Sequence, residues 1–255
     1  MSRALGLLAP VLFVALLLGV WELVVRTLHV PTYLLPAPSE ILQALAANAH
    51  PLAVSAWNTL KMALGALVCA SVAATAVALL IAPSPLLEKA IRPIAVVLQV
   101  TPIVAIAPLA LIWAGIDHPE RAILGLAVVV AFFPVFSGAL TGLHAADPDL
   151  ERLFDLYGAS RWQKLIRLRL PSATPFLLEG HKVAAGLAVI GAVVAEFVSG
   201  SGGAQGLAWR ILEAANRLQT ARVFAAIVIL GLMGALVHAA FQALERWALR
   251  RWHGR

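Results

Sequence analysis

The stretch TLKMALGALVCASVAATAVALLIA, residues 59–82, decides the fold class of this chain. Its only charged residue is Lys61, close to its beginning. An α-helix needs about 20 apolar residues to cross the hydrocarbon core of a bilayer. The stretch therefore predicts a membrane-spanning helix, which stops at Pro83-Ser84-Pro85. The single cysteine, Cys69, lies inside this run, so we interpret it as a small apolar side chain and exclude an internal disulfide or a Cys-rich metal site.

Further apolar runs of similar length lie on both sides of this stretch. Hydrophobic residues make up 61% of the 255 residues and charged residues only 13%, whereas soluble domains carry about 25% charged residues. The composition excludes an ordinary soluble domain and predicts an all-α integral membrane protein, with residues 1–255 forming one transmembrane domain. The six predicted spans are residues 5–25, 59–82, 94–113, 122–143, 176–198 and 223–244.

The first run, residues 5–25, could be a signal peptide or a retained helix. It lacks a small-x-small cleavage site and carries Trp21 as an interfacial anchor, so we interpret it as a retained span. The proline-rich segment 31–38 then breaks the chain. A short helix is expected to begin near Ser39, whose hydroxyl can cap it, and to be too short to cross a membrane.

Pro102 and Pro108 lie inside the third predicted span, and Pro134 lies inside the fourth. A proline removes a backbone donor, but membrane helices tolerate it where neighbouring helices satisfy the freed carbonyl groups. We therefore treat both runs as single spans.

The placement of lysine and arginine predicts the orientation. With six spans, both termini and the long polar loop of residues 144–174 share one side, together with twelve of the 19 basic residues. The opposite side holds Arg26, Lys61, Arg121, Arg210, Arg217 and Arg222. Cytoplasmic flanks of membrane helices are enriched in such residues, so both termini are predicted to be cytoplasmic and the net charge of +6 does not require a nucleic acid.

The polar loop predicts two short helices joined at Gly158. Asp147 is a good N-cap and Pro148 suits the first helical position. One apolar stripe follows at helical spacing, formed by Leu150, Leu153, Phe154 and Tyr157. Gly158 is expected to end the first helix in the left-handed conformation.

The second helix is predicted to begin with a Ser160–Gln163 capping box and to close at Leu170-Pro171. Its charged residues are all basic: Arg161, Lys164, Arg167 and Arg169. One interpretation is an amphipathic helix lying on anionic headgroups. A second is a hairpin that docks into a groove of another protein, which the acidic, sharply capped first helix favours.

The same loop resembles the EAA loop of permease subunits of binding-protein-dependent ABC importers. Gly158-Ala159-Ser160 and Leu168-Arg169-Leu170-Pro171 follow the spacing of that loop, whereas Arg152-Leu153-Phe154 replaces its Glu-Ala-Ala triplet and Glu151 is one residue out of register. Other segments resemble the nitrate, sulfonate and taurine branch across nearly the whole chain: Leu35–Ser39, Asn58–Leu60, Thr101-Pro102, Pro108-Leu109, Trp113–Gly115, Gly186–Ala188 and Val194–Glu196.

The resemblance implies one membrane subunit of an ATP-driven importer in the bacterial inner membrane. Expected partners are a cytoplasmic ABC ATPase dimer, a periplasmic or lipid-anchored substrate-binding protein, membrane lipid and a second copy of the chain. The chain lacks a Gly-x-x-x-x-Gly-Lys-Ser/Thr phosphate loop, so no catalytic residue, metal or cofactor is expected here and ATP–Mg is expected on the partner. Nitrate, a sulfonate, taurine or a similar compound is the expected solute.

Two sets of site residues follow from the resemblance and from polar groups inside spans. The expected ATPase-coupling residues are Leu153, Phe154, Asp155, Tyr157, Gly158, Ala159, Ser160, Arg161, Lys164, Leu170 and Pro171. Gln99, Thr101 and Glu196 are candidates for the solute pathway, because polar groups within spans are costly and often functional. In the alternative, Thr101 bonds its own helix and Glu196 reaches interfacial water. The Gly200–Gly206 segment is expected to be an external gating or docking loop, or a simple linker.

Two other function classes compete with this interpretation. A secondary transporter or channel acting alone would need charge pairs or a proton relay inside the spans, and the central parts of these six offer few. A membrane-embedded enzyme would need a constellation such as His-Glu-x-x-His or Gly-x-Ser-x-Gly, and neither motif occurs in the sequence.

Overall fold

The structure, a computed structural model, describes residues 3–115, 117–200 and 205–253. Every secondary-structure element in these ranges is a helix, as the apolar runs predict. The helices are α1 (Arg3–Thr27), α2 (Pro38–Ala47), α3 (Ala49–Ile81), α4 (Pro85–Val100), α5 (Ile103–Ala114), α6 (Pro119–Leu143), α7 (Pro148–Leu156), α8 (Arg161–Lys164), a π-helical turn (Leu165–Arg169), α9 (Leu170–Ser199), α10 (Leu207–Asn216) and α11 (Thr220–His253).

Five of these helices are long and apolar enough to cross a membrane, and α4 with α5 adds a sixth if the pair is one broken span. The predicted number of six spans is reached if α4 and α5 are counted as one span, and the boundaries of the helices differ from the predicted ones. The described chain divides into two compact units: Met1–Trp57 with Gln205–Gly231, and Asn58–Ala204 with Leu232–Arg255.

The first unit is organised around the turn between α1 and α2. The Glu22 carboxylate accepts hydrogen bonds from the backbone N–H of Ser39 (3.0 Å) and from its hydroxyl (2.8 Å), and it pairs with Arg26 at 2.6 Å. The expectation that Ser39 caps α2 is therefore wrong. Pro38 occupies the first turn, which moves Ser39 into the helix, and Glu40 accepts from the backbone N–H of Ala37 instead.

The second unit has its core between α6 and α9, which approach so closely that small residues are required. A Cβ on Gly180 would lie 2.7 Å from the Pro134 carbonyl oxygen, and one on Gly138 would lie 2.7 Å from that of Phe176. Association of helices inside a membrane depends on such van der Waals packing, because lipid is as apolar as the helices. Helix α5 packs beside this pair through Ala107, which joins a buried cluster with Ile123, Leu126 and Ala195.

The third predicted span is wrong as a single helix. Helices α4 and α5 meet at Thr101-Pro102 with a bend of 97°. Thr101 is extended (φ −69°, ψ 127°), the conformation that a following proline imposes on the residue before it. Pro108 and Pro134 stay inside continuous helices, as expected. Pro102, Pro108 and Pro134 are all prolines, so residue type alone does not explain why the helix breaks at the first and continues through the other two.

The predicted end of the basic helix at Leu170-Pro171 is also wrong. Helical backbone continues from Arg161 through the π-helical turn at Leu165–Arg169 to Ser199. The wider i→i+5 hydrogen-bond register in this turn places the backbone N–H of Leu170 against the Leu165 carbonyl group. Pro171 follows at the start of α9, where a missing N–H costs little. The fifth predicted span, residues 176–198, is thus the later part of a longer helix.

Candidate functional site: a charged hairpin and a polar groove

The hairpin, which we define as residues 144–174, begins with a well-capped α7. Asp147 Oδ1 accepts from the backbone N–H of Asp149 at 2.8 Å, and Pro148 occupies the first turn. Gly158 follows with φ +67°, a backbone conformation in which a Cβ is strained. The cap and the left-handed glycine agree with the sequence-based prediction.

The basic helix, which we define as residues Arg161–Arg169, starts with the predicted capping box. The Gln163 N–H donates to Ser160 Oγ (3.3 Å), and Gln163 Oε1 accepts from the Ser160 N–H (2.7 Å). Two donors that the first turn would leave without partners are thereby satisfied. The first turn of the basic helix is consequently capped by the side chains of Ser160 and Gln163.

Two ion pairs hold α7 against the basic helix. Arg169 donates to both carboxylate oxygens of Glu151, at 2.6 and 3.0 Å, and Lys164 pairs with Asp155. The hydrogen bonds from the Arg169 guanidinium hold the pKa of the Glu151 carboxyl below its usual value. Sequence reasoning did not anticipate these pairs, although acids at positions 151 and 155 and bases at 164 and 169 were a signal for them. Glu151 thus has a partner within the chain.

The outer face of the hairpin exposes large apolar side chains. Leu156 is 85% exposed and Tyr157 83% exposed, and Leu150, Leu153 and Trp162 are also exposed. Phe154 is half-buried, so the predicted stripe is divided between the hairpin's own packing and its outer face. A face of this kind suits an interaction with another surface.

A groove runs along α4 and α6, and polar side chains line it from both helices. Arg92 and Gln99 of α4 share a cavity of about 230 Å³ with Ser137 and Thr141 of α6 and the rings of Phe133 and Phe136. Further along α4, a cavity of about 390 Å³ is lined by Glu88, His144 and the basic helix. Glu88, Arg92 and Gln99 lie on one face of α4, and Ser137, Thr141 and His144 lie on one face of α6.

Charged groups close one end of this groove. Glu88 Oε1 pairs with Arg92 at 2.5 Å, and Glu88 Oε2 lies 3.1 Å from His144 Nε2. His144 Nδ1 lies 2.8 Å from the Leu140 carbonyl oxygen. The His144 ring therefore bridges the last turn of α6 and the first turns of α4. The sequence-based search missed this cluster, because Glu88, Arg92 and His144 lie outside the predicted spans, and the candidates were polar residues within spans.

The three predicted pathway residues lie in different surroundings. Gln99 lines the groove. The Thr101 hydroxyl donates to the Val97 carbonyl group at 2.7 Å, as the alternative for that residue expected. Glu196 is 4% exposed and accepts from the Thr59 hydroxyl at 2.9 Å in the packed interior. The alternative in which Glu196 reaches water is therefore wrong for this structure.

Residues 201–204 of the predicted external loop lie outside the described residues. Gly200, which precedes them, ends α9 with φ +50°. Lys182, near the beginning of the predicted fifth span, pairs with Glu179 and, at 3.1 Å, with Glu245 of α11.

Comparison with known proteins identifies the family. Residues 66–250 match the family described as binding-protein-dependent transport system inner membrane component. The chain is 32% identical over 250 residues to the formylaminopyrimidine transport permease protein ThiX of Halalkalibacterium halodurans, covering 96% of each chain. It is 32% identical to the riboflavin transport system permease protein RibX of Chloroflexus aurantiacus (97% of this chain, 90% of that protein).

A further relative is the taurine transport system permease protein TauC of Escherichia coli, which is 29% identical over 94% of this chain and 88% of that protein. The family match includes α4, α6 and the hairpin, so the similarity is not confined to the apolar spans. The chain therefore belongs to the binding-protein-dependent transport system inner membrane component family and is a multi-pass permease subunit of an ABC importer.

Proposed function

We propose that the hairpin docks into a cytoplasmic ABC ATPase and that the groove along α4 and α6 forms part of the solute pathway. The observation that carries the docking proposal is the outer face of the hairpin, where Leu156 and Tyr157 are almost fully exposed. The Glu151–Arg169 and Asp155–Lys164 pairs hold the hairpin as one body. A body held in this way can transmit movement of an ATPase to α9.

This function requires the hairpin and both termini to lie in the cytoplasm, as the excess of lysine and arginine on that side suggests. ATP and Mg²⁺ then bind the partner, since the chain has no phosphate-binding loop motif. The chain itself needs no metal or cofactor for this role. A substrate-binding protein would deliver the solute to the opposite face.

A second copy of the chain is proposed to complete the pathway. Helix α4 has an apolar side and a polar side, and none of its residues is buried within the chain. Val96, Val97 and Val100 are among its exposed side chains. A homodimer in which two such helices face each other would cover these side chains and enclose the polar groove, with membrane lipid around the outer helices.

The proposed solute is a small compound with an anionic group, such as nitrate, a sulfonate or taurine. The structure adds Arg92, a cation that lines the groove beside the neutral groups Gln99, Ser137 and Thr141. Planar nitrogen heterocycles are a second candidate class, because two relatives are named for formylaminopyrimidine and riboflavin transport. The Phe133 and Phe136 rings in the groove suit a flat solute. Calorimetric titration of the cognate binding protein with taurine, nitrate and a formylaminopyrimidine would distinguish the two classes.

The docking proposal is tested by co-purification with the cognate ATPase. Replacing Leu156 and Tyr157 together by alanine should leave the permease folded, since both are exposed, but should weaken ATPase association by about tenfold or more. Leu28→Ala is a matched control, because Leu28 is 71% exposed and lies outside the hairpin. Undiminished association of the double variant would contradict the docking face. Uptake by the purified chain alone, without ATP, would favour the stand-alone transporter instead.

A further inference from the structure

The cavity between α4, the end of α6 and the basic helix brings the two proposed functional regions together. Its volume is about 390 Å³, and its lining includes Arg161, Lys164 and Arg169 from the basic helix with Glu88 and His144, the pair at the end of the groove. All of these residues belong to the second unit. The hairpin and the groove therefore both contribute charged side chains to this one cavity.

Glu88 is the only acidic residue among the side chains that line this cavity in the described part of the chain. Its side chain is 14% exposed, and each of its oxygens has a basic partner, Arg92 on one side and His144 on the other. A carboxylate with so little exposed surface is stabilised by such basic partners. Glu88 is consequently confined to positions where basic groups surround it.

The three cations of the basic helix that line this cavity hold other partners in this conformation. Lys164 pairs with Asp155, Arg169 pairs with Glu151, and Arg161 Nη1 lies 3.5 Å from the Pro83 carbonyl oxygen. Pro83 stands in the turn that leads into α4. A displacement of the basic helix toward α4 would offer these cations the Glu88 carboxylate as an additional acceptor.

Helix α4 is suited to respond to such an exchange of ionic partners. It contains no buried residue, so moving it does not open a packed core. It ends at the broken backbone of Thr101-Pro102, where the chain direction changes by 97°. Interior prolines and chain breaks of this kind are sites where a helix can pivot without disturbing the next one.

We infer that Glu88 is a positioning residue that couples movement of the hairpin to α4, through exchange of its basic partners between the groove and the basic helix. This inference rests on the proposed docking of the hairpin to an ATPase. In the conformation described here, Glu88 binds Arg92 and His144 and holds α4 against α6. After the hairpin moves, Glu88 is shared with the basic helix, and α4 changes the width of the groove.

The test follows groove access without requiring a known solute. Ser137→Cys places a thiol in the groove, in a Cys69→Ser background that removes the only native cysteine. The full chain in complex with the cognate ATPase is labelled with a membrane-impermeant maleimide, with and without Mg–ATP and vanadate. The labelling rate should change at least about fivefold on nucleotide trapping. Glu88→Gln should abolish that change while ATP hydrolysis continues.

Glu120→Gln is the matched control. Its carboxylate also contacts a histidine, His118 at 3.1 Å, but at the opposite end of α6, and the labelling change should persist in this variant. His144→Asn removes the same Glu88 contact from the other side, so it provides the test if Glu88→Gln does not assemble. A full labelling change in Glu88→Gln or in His144→Asn would overturn the inference. Failure of the unmutated permease to bind the cognate ATPase would instead overturn the docking proposal.

Discussion

Helices α6 and α9 are held together by small residues, whereas the hairpin that connects them is held by caps and ion pairs. Between the helices, Gly138 and Gly180 allow backbone atoms to touch. In the hairpin, the side chains of Asp147 and Ser160 cap the N-termini of two helices, and Glu151 forms an ion pair with Arg169. Close packing tolerates little change in volume, while ion pairs can exchange partners. The α6–α9 contact is therefore a scaffold, whereas the hairpin is a region that can move as a unit.

The largest expected effect comes from placing a methyl group in the α6–α9 contact. In Gly180→Ala the new Cβ would lie 2.7 Å from the Pro134 carbonyl oxygen, which is backbone and cannot move aside. Overpacking should lower the free energy of unfolding by about 1–3 kcal/mol. Gly186→Ala on the same helix is the control, because no atom lies within 4 Å of its Cβ position. Equal melting temperatures of the two variants in detergent would show that the contact is not tight.

A smaller effect is expected at the turn of the hairpin. Gly158→Ala meets no neighbouring atom, but φ +67° is unfavourable for an L-residue by roughly 1–2 kcal/mol. The loss should be local, so amide hydrogen exchange should accelerate in residues 148–164 and stay unchanged in α6 and α9. Gly158→Asn should have a smaller effect, because asparagine adopts this conformation more readily. Equal acceleration throughout α9 would mean that the hairpin is not a separate unit.

The smallest of the three effects is expected from the Glu151–Arg169 pair. Glu151→Gln should destabilise the hairpin by about 1 kcal/mol at neutral pH, since both side chains are partly solvated. The folded-state pKa of Glu151 is lowered, so its contribution is present above the unfolded-state value of about 4.3 and is lost as pH falls through the lower folded value.

Thermal unfolding of the chain and of Glu151→Gln between pH 3 and 7 measures this contribution. The difference in melting temperature should be constant near neutral pH and should narrow in the acidic range. Asp149→Asn is a suitable comparison, because the Asp149–Arg152 pair is largely exposed and its loss should change stability little. A pH-independent difference for Glu151→Gln would show that the ion pair contributes nothing.

Much of the hairpin could be predicted from the sequence, because its signals are local. The Asp147 cap, the left-handed Gly158 and the Ser160–Gln163 box each involve residues only a few positions apart. The ion pair between Glu151 and Arg169 was missed, because it requires the angle between two helices to be known. The end of the basic helix was misplaced, since a π-helical turn carries no single-residue signature.

The groove was harder to predict, because each of its walls is an ordinary stretch of membrane helix. Gln99 attracted attention as a polar residue inside an apolar run, but Ser137, Thr141 and Arg92 became meaningful only when they lined a common cavity. Glu196 shows the opposite case, since an acid in a span proved to be a hydrogen-bonded interior residue.

The sequence by itself determined the all-helical membrane fold, because long apolar runs have few other stable solutions in a bilayer. It also determined the helical form of the hairpin, through caps that act over three or four residues. Only the tertiary structure decided that the chain breaks at Thr101-Pro102 and not at Pro108 or Pro134. It alone brought Glu88 to His144 and to the basic helix. The physical reason is that these features depend on which faces of distant helices meet, and single-sequence periodicity does not specify that choice.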